Sequence, residues 1–111
     1  MKYDENKVDL SLLPPTALWQ IANVMMYGAK KYSKHNWRSD GNVTWSRTYS
    51  SIQRHLTAWL EGEDDDPETG ESHIAHAAAQ CLMLLVHEKE CPDMDDRYKG
   101  ELYVRNHGNK K

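Results

Sequence analysis

The chain has 111 residues, a length that suits one domain and buries only about 65% of its unfolded surface, so assembly with further copies is expected. With 14 Lys and Arg against 17 Asp and Glu the formal net charge is −3, which speaks against a general nucleic-acid binder. No run approaches the ~20 apolar residues of a membrane span, and the charged start "MKYDENKVDLS" lacks the apolar stretch of a signal peptide. Two cysteines, Cys81 and Cys91, do not make a disulfide framework, so the expected compartment is the cytoplasm.

Residues 1–13 read as an irregular lead-in. A first helix is predicted from "LLPPTALWQIANVMMYGAKKYSK", with Pro14-Pro15 suited to its first turn. Leu18, Ala22, Met25, Ala29 and Tyr32 fall on one face, which is the expected core face, and Met25 and Met26 are expected inside. The helix should end near Tyr32 or Ser33, before a loop with a turn at Asp40-Gly41. A second helix begins near Thr44 or Trp45. Its stripe is Trp45, Tyr49, Ile52, Leu56 and Trp59, and Gly62 stops it.

An acidic loop follows, with seven carboxylates between residues 61 and 71: Glu61, Glu63, Asp64, Asp65, Asp66, Glu68 and Glu71. The third helix runs from about Ser72 to Lys89 and is apolar nearly all round, which predicts a buried central helix with Cys81 in the core. Pro92 ends it. Residues 14–91 therefore form the helical domain, and residues 92–111 form a tail with a short ordered piece that packs on a partner subunit, then a frayed end. Without an alternating strand, the class is all-α: a small bundle of three main helices, its core completed by a homodimer or homotetramer.

The polar residues of the third helix carry the most information. His73, His76, Gln80 and His87 lie at spacings of 3, 4 and 7, one face of an otherwise apolar helix. Leaving each buried polar group unpartnered costs roughly 1–3 kcal/mol, so something polar must face them. The nearest suppliers are the acidic loop and His55 of the second helix. Either the histidines are satisfied by ordinary hydrogen bonds to carboxylates, or His73 and His76 bind a divalent metal with Glu63, Asp64 and Asp66. Histidine ligands suit Mn²⁺, Zn²⁺ or Fe²⁺, and Mg²⁺ would lean on the oxygens. His55 is a further ligand or a general base. A second cluster, "YGAKKYSKHNW", joins lysines to Asn36 and Trp37, a combination suited to a nucleotide.

These same segments, "LLPPTALWQIANVMMYGAKKYSKHNW" and "RHLTAWLEGEDDDPETGESHIAHAAAQCLMLL", resemble the phage and bacterial family of dATP/dGTP diphosphohydrolases, N-terminal domain type. In outline that family is related to the MazG-like all-α nucleoside triphosphate pyrophosphohydrolases. The resemblance covers roughly residues 10–90. It implies an all-α fold and hydrolysis of a purine nucleoside triphosphate to the monophosphate and pyrophosphate, with Mg²⁺ or Mn²⁺ as cofactor. MazG-like enzymes carry E-x-x-E and E-x-x-D helices. This chain offers "RHLTAW" and His73-x-x-His76 in their place.

On this reading Glu63 and Asp66, with His55, carry the chemistry, Lys31 and Arg54 contact phosphates, and Asn36 with Trp37 contacts the base. The partner is a purine nucleoside triphosphate, with neither nucleic acid nor membrane involved. Two alternatives stay open. An HD-type triphosphohydrolase would need an adjacent His-Asp pair, and no such dipeptide occurs. A small helical phage-type binding protein would use the acidic loop as its contact surface.

Overall fold

The computed structural model describes residues 6–39 and 43–108. Among them the regular structure is helical, and the predicted Asp40-Gly41 turn lies outside the described residues. Helix α1 spans Pro15–Lys31, with Pro15 at the first position, where a missing N–H costs nothing, and Lys30 and Lys31 in the last turn, where cations meet the negative end of the dipole. A single turn, α2, covers Asn36–Ser39. Helix α3 runs Trp45–Leu60 and α4 His73–Glu90. Ser72 caps α4 through its hydroxyl, which accepts from Ile74 N at 3.1 Å and Ala75 N at 3.4 Å. Beyond Cys91, a 3-10 turn at Pro92–Met94 leads to α5, Glu101–His107.

Helix α4 is the central element, packed against α3 on one side and α1 on the other. Its alanines make this possible. Ala75 and Ala79 meet Val24 of α1, flanked by Ile21, Met25 and Met83. Small side chains let the helix axes approach, but the resulting core is thin: among the described residues, no large side chain is fully buried.

The acidic segment between α3 and α4 is a tight, hydrogen-bonded loop. Gly62 (φ +104°) and Gly70 (φ +76°) take up left-handed backbone at its two ends, a conformation that favours glycine. Asp66 N donates to Glu71 O at 2.8 Å, Gly70 N to Asp66 O at 2.7 Å, and His73 N to Asp64 O at 3.0 Å. The loop is therefore folded back onto the start of α4.

Three expectations about the core need correcting. The inward face of α1 is Ile21, Val24 and Met25, while Leu18, Ala22 and Tyr32 are exposed and Met26 is 53% exposed. Both faces of α1 carry apolar residues at helical spacing, so periodicity alone does not choose between them. In α3, Trp45 and Ile52 are buried, whereas Tyr49 and Trp59 are largely exposed. Helix α4 is not buried all round: Ile74, Cys81, Leu82 and Leu85 form an outward apolar stripe, with Leu85 65% exposed. Two neighbouring helices cover only part of its circumference.

Candidate metal centre

Most polar atoms of the α4 stripe find partners; the buried Gln80 Oε1 and His87 Nδ1 find none among the described residues. His73 is buried at the first position of α4, and its Nε2 lies 2.7 Å from Glu63 Oε1. Its Nδ1 stands 2.9 Å from Nδ1 of His55, which projects from the last half of α3. Asp66 Oδ2 lies 3.8 Å from the same His55 nitrogen. One ligand atom from each of His55, Asp66 and His73 falls within 4.8 Å of the others, a group able to hold a cation. His76, one turn along, stacks on His55 with centroids 4.6 Å apart and planes 5° from parallel, and its Nε2 meets the Thr69 hydroxyl at 2.7 Å. Further along, Gln80 donates to Ser51 Oγ of α3 at 2.6 Å, and His87 donates through Nε2 to the Trp37 carbonyl at 2.8 Å.

The electrostatics favour neutral imidazoles beside a charged carboxylate. Burial pushes His55 below its ordinary value, the neighbouring His76 adds to this, and Asp66 opposes it. Burial likewise lowers His76, against the opposing charge of Asp66. For Asp66, burial pushes upward, but the Glu68 N–H (2.7 Å) and the adjacent histidines outweigh it and hold the carboxyl below its usual range. Neutral imidazole nitrogen and ionised carboxylate are the forms that bind cations.

The remaining residues singled out from the sequence are distributed around this cluster. Asp64 is exposed and contributes its backbone carbonyl to His73 N. Lys31 Nζ lies 3.5 Å from Glu68 Oε2, and the Tyr27 hydroxyl donates to the same oxygen at 3.3 Å, so the end of α1 rests against the acidic loop. Asn36 and Trp37 line a cavity of about 410 Å³ with Gly28, Tyr32, Val43 and Met83. Gly28 and Tyr32 wall that cavity, while Tyr27 and Lys31 beside them touch the loop that carries Asp66. The last turns of α1 thus line the cavity and, through Tyr27 and Lys31, touch Glu68 of the acidic loop. Arg54 is exposed and bonds Ser50 Oγ at 3.0 Å, and its charge contributes to lowering His55. Thr69 had no signal in the sequence, because it acquires its neighbour only when the loop closes, and Tyr32, expected on the core face of α1, lines the cavity instead.

Fold and site together define an all-α protein with a histidine–carboxylate cluster between two packed helices, and with a cavity lined by Tyr32 and Trp37. Residues 1–97 match the family described as dATP/dGTP diphosphohydrolase, N-terminal. A dATP/dGTP diphosphohydrolase of Salmonella phage PMBT28 is 32% identical over 97 residues, covering 87% of this chain and 32% of that protein. No solved structure matches the chain. The chain belongs to the dATP/dGTP diphosphohydrolase N-terminal family, and it spans about a third of the length of its phage relative.

Proposed function

We propose that this chain hydrolyses a purine deoxynucleoside triphosphate, dATP or dGTP, to the monophosphate and pyrophosphate, using a divalent metal. The observation that carries the reading is the His55–Asp66–His73 cluster, whose ligand atoms lie within 4.8 Å of one another, in a chain that also holds a cavity lined by Tyr32, Asn36 and Trp37. Family membership and the name of the phage relative support the reaction class.

In this reading the base occupies the cavity against Trp37 and Asn36, and the triphosphate runs along the end of α1 toward the cluster. Lys31 already sits at the acidic loop and is placed to exchange Glu68 for a phosphate. Arg54, next to His55 in sequence and exposed, reaches a phosphate from the α3 side. Water attacks the α-phosphorus in line, the bond to the bridging oxygen breaks, and pyrophosphate leaves. The water proton passes to a loop carboxylate, Glu63 or Asp66. His55, Asp66 and His73 would hold a divalent ion, which would neutralise phosphate charge and acidify a bound water. His55, with Nδ1 among the other donor atoms, fits a ligand better than a base standing apart.

Assembly into a homodimer or homotetramer belongs to the same proposal. The chain exposes 8922 Å², against about 6,300 Å² for a monomeric protein of this mass. Its radius of gyration is 16.8 Å, against about 13 Å for a compact chain of this length. A second copy laid on the apolar stripe of α4 and the adjoining face of α1 would remove much of that excess. Among the described residues, no helix is long and apolar enough to cross a membrane.

The test is turnover of a panel of dNTPs and NTPs with Mn²⁺ or Mg²⁺, products being separated by anion exchange. Monophosphate and pyrophosphate from a purine dNTP, lost in a folded Asp66→Asn protein, are expected. Triphosphate as product, or no turnover of any nucleotide, would defeat the reading.

A further inference from the structure

Glu63 decides which nitrogen of His73 presents its lone pair to the cluster. A carboxylate accepts hydrogen bonds and cannot donate, so the 2.7 Å contact between Glu63 Oε1 and His73 Nε2 places the proton on Nε2. In the neutral ring the lone pair of His73 is then on Nδ1, which accepts a 2.9 Å hydrogen bond from Nδ1 of His55, a proton that an ion would displace. Two nitrogens held by one ion at about 2.1 Å stand about 3.0 Å apart at a right angle and about 3.4 Å apart at a tetrahedral one. The two imidazoles are already within a few tenths of an ångström of that spacing, and Asp66 Oδ2 completes the triangle.

We infer that Nδ1 of His55, Nδ1 of His73 and Oδ2 of Asp66 form a three-donor site that selects a transition-metal dication of the Zn²⁺, Co²⁺, Fe²⁺ or Mn²⁺ type over Mg²⁺. The inference rests on the proposed function only in treating the cluster as the hydrolytic centre; the donor set stands by itself. Imidazole nitrogen suits these ions, whereas Mg²⁺ demands oxygen ligands and dehydrates reluctantly. Three protein donors leave positions for water and substrate oxygens, the arrangement of a catalytic site and not of a closed structural one.

The surrounding groups hold the donors in place. Glu63 fixes the tautomer and ring orientation of His73, as a carboxylate behind a metal-binding histidine does. The Glu68 N–H orients Asp66. His76 is a positioning residue: its ring stacks on His55 and its Nε2 is engaged by Thr69. Of the five residues assigned to a metal from the sequence, Asp66 and His73 remain ligands, His55 joins them, and Glu63, Asp64 and His76 stand behind or beside them.

The experiment is metal binding to the chelator-stripped full chain, without nucleotide, by calorimetry against ZnCl₂, CoCl₂, MnCl₂ and MgCl₂. Visible absorption of the Co²⁺ form reports the ligands. Zn²⁺ and Co²⁺ are expected to bind at least about 100-fold tighter than Mg²⁺. His55→Gln and Asp66→Asn should abolish this tight binding and the Co²⁺ bands. Glu63→Gln should weaken binding by about 10- to 100-fold, the range for loss of such a supporting group. His76→Phe keeps the stacked ring without its nitrogens and should retain affinity within about tenfold. Substitution of buried His73 risks the fold, so the half-buried His55 and Asp66 carry the decision, with circular dichroism confirming each variant. Mg²⁺ binding as tightly as Zn²⁺, or unaltered binding in both His55→Gln and Asp66→Asn, overturns the inference. Tight Zn²⁺ binding without nucleotide turnover keeps this inference and removes the proposed function; turnover with Mg²⁺ that survives in His55→Gln does the reverse.

Discussion

Asp95 ties the segment after α4 to the start of α3, and its removal gives a pH-dependent loss of stability. The carboxylate accepts from Arg97 N at 3.1 Å, Nε at 2.9 Å and Nη2 at 3.0 Å, with the Tyr103 hydroxyl at 3.5 Å. The guanidinium so held lies over the rings of Trp45 (5.0 Å) and Tyr103 (5.4 Å). Side-chain hydrogen bonds from Arg97, outweighing the opposing effect of burial, hold the Asp95 carboxyl at about 2, against an ordinary 3.8. The difference, 3.8 minus about 2, corresponds to at most about 2.4 kcal/mol. Arg97 is about half exposed, so solvent screening brings the realistic figure to about 1 kcal/mol. Because the folded value lies below the unfolded one, this contribution is complete above the unfolded pKa and disappears as pH falls from 3.8 toward about 2. Asparagine mimics the protonated acid. Asp95→Asn should therefore cost about 1 kcal/mol in urea unfolding at pH 6, with the gap to wild type closing as pH approaches 2. A gap that stays constant with pH, or one that widens in acid, would refute the ion-pair argument.

Two further expectations follow from packing. Ala79 is 0% exposed in the cluster with Val24 and Ala75, so Ala79→Leu should overpack the α1–α4 contact and cost about 1–3 kcal/mol. An unchanged urea midpoint would mean that the helices separate freely there. Leu85 is 65% exposed on the apolar stripe of α4, and Leu85→Asp should leave circular dichroism unchanged while the mass in solution falls to that of one 12.9 kDa chain. Light scattering showing the same oligomer in both proteins, or a wild type already monomeric, would remove that stripe as an interface.

Local chemistry alone placed the three long helices, α1, α3 and α4, while the short α2 falls where a loop was expected. Pro15 at the start of α1, Gly62 after α3, Ser72 before α4 and Pro92 after it act through neighbouring backbone, so each boundary fell within about two residues of the one read from the chain. The need for partners along His73, His76, Gln80 and His87 was legible for a similar reason, since a helix fixes which residues share a face and burial makes an unpartnered face expensive.

What those partners are was settled only by long-range closure. Seven acids between residues 61 and 71 look alike in sequence. Backbone bonds within the loop turn Asp66 toward His55, bring Glu63 to Nε2 of His73 and leave Asp64 outside. The inward face of α1 was undetermined in the same way, because Leu18–Ala22–Met25 and Ile21–Val24–Met25 both satisfy helical spacing. The choice fell to the contact with the alanines of α4, and the faces that contact left uncovered are those where a second copy is expected. Spacing along a helix is a local property of the chain; which of two equivalent faces, or which of seven carboxylates, meets a partner depends on contacts between residues distant in sequence.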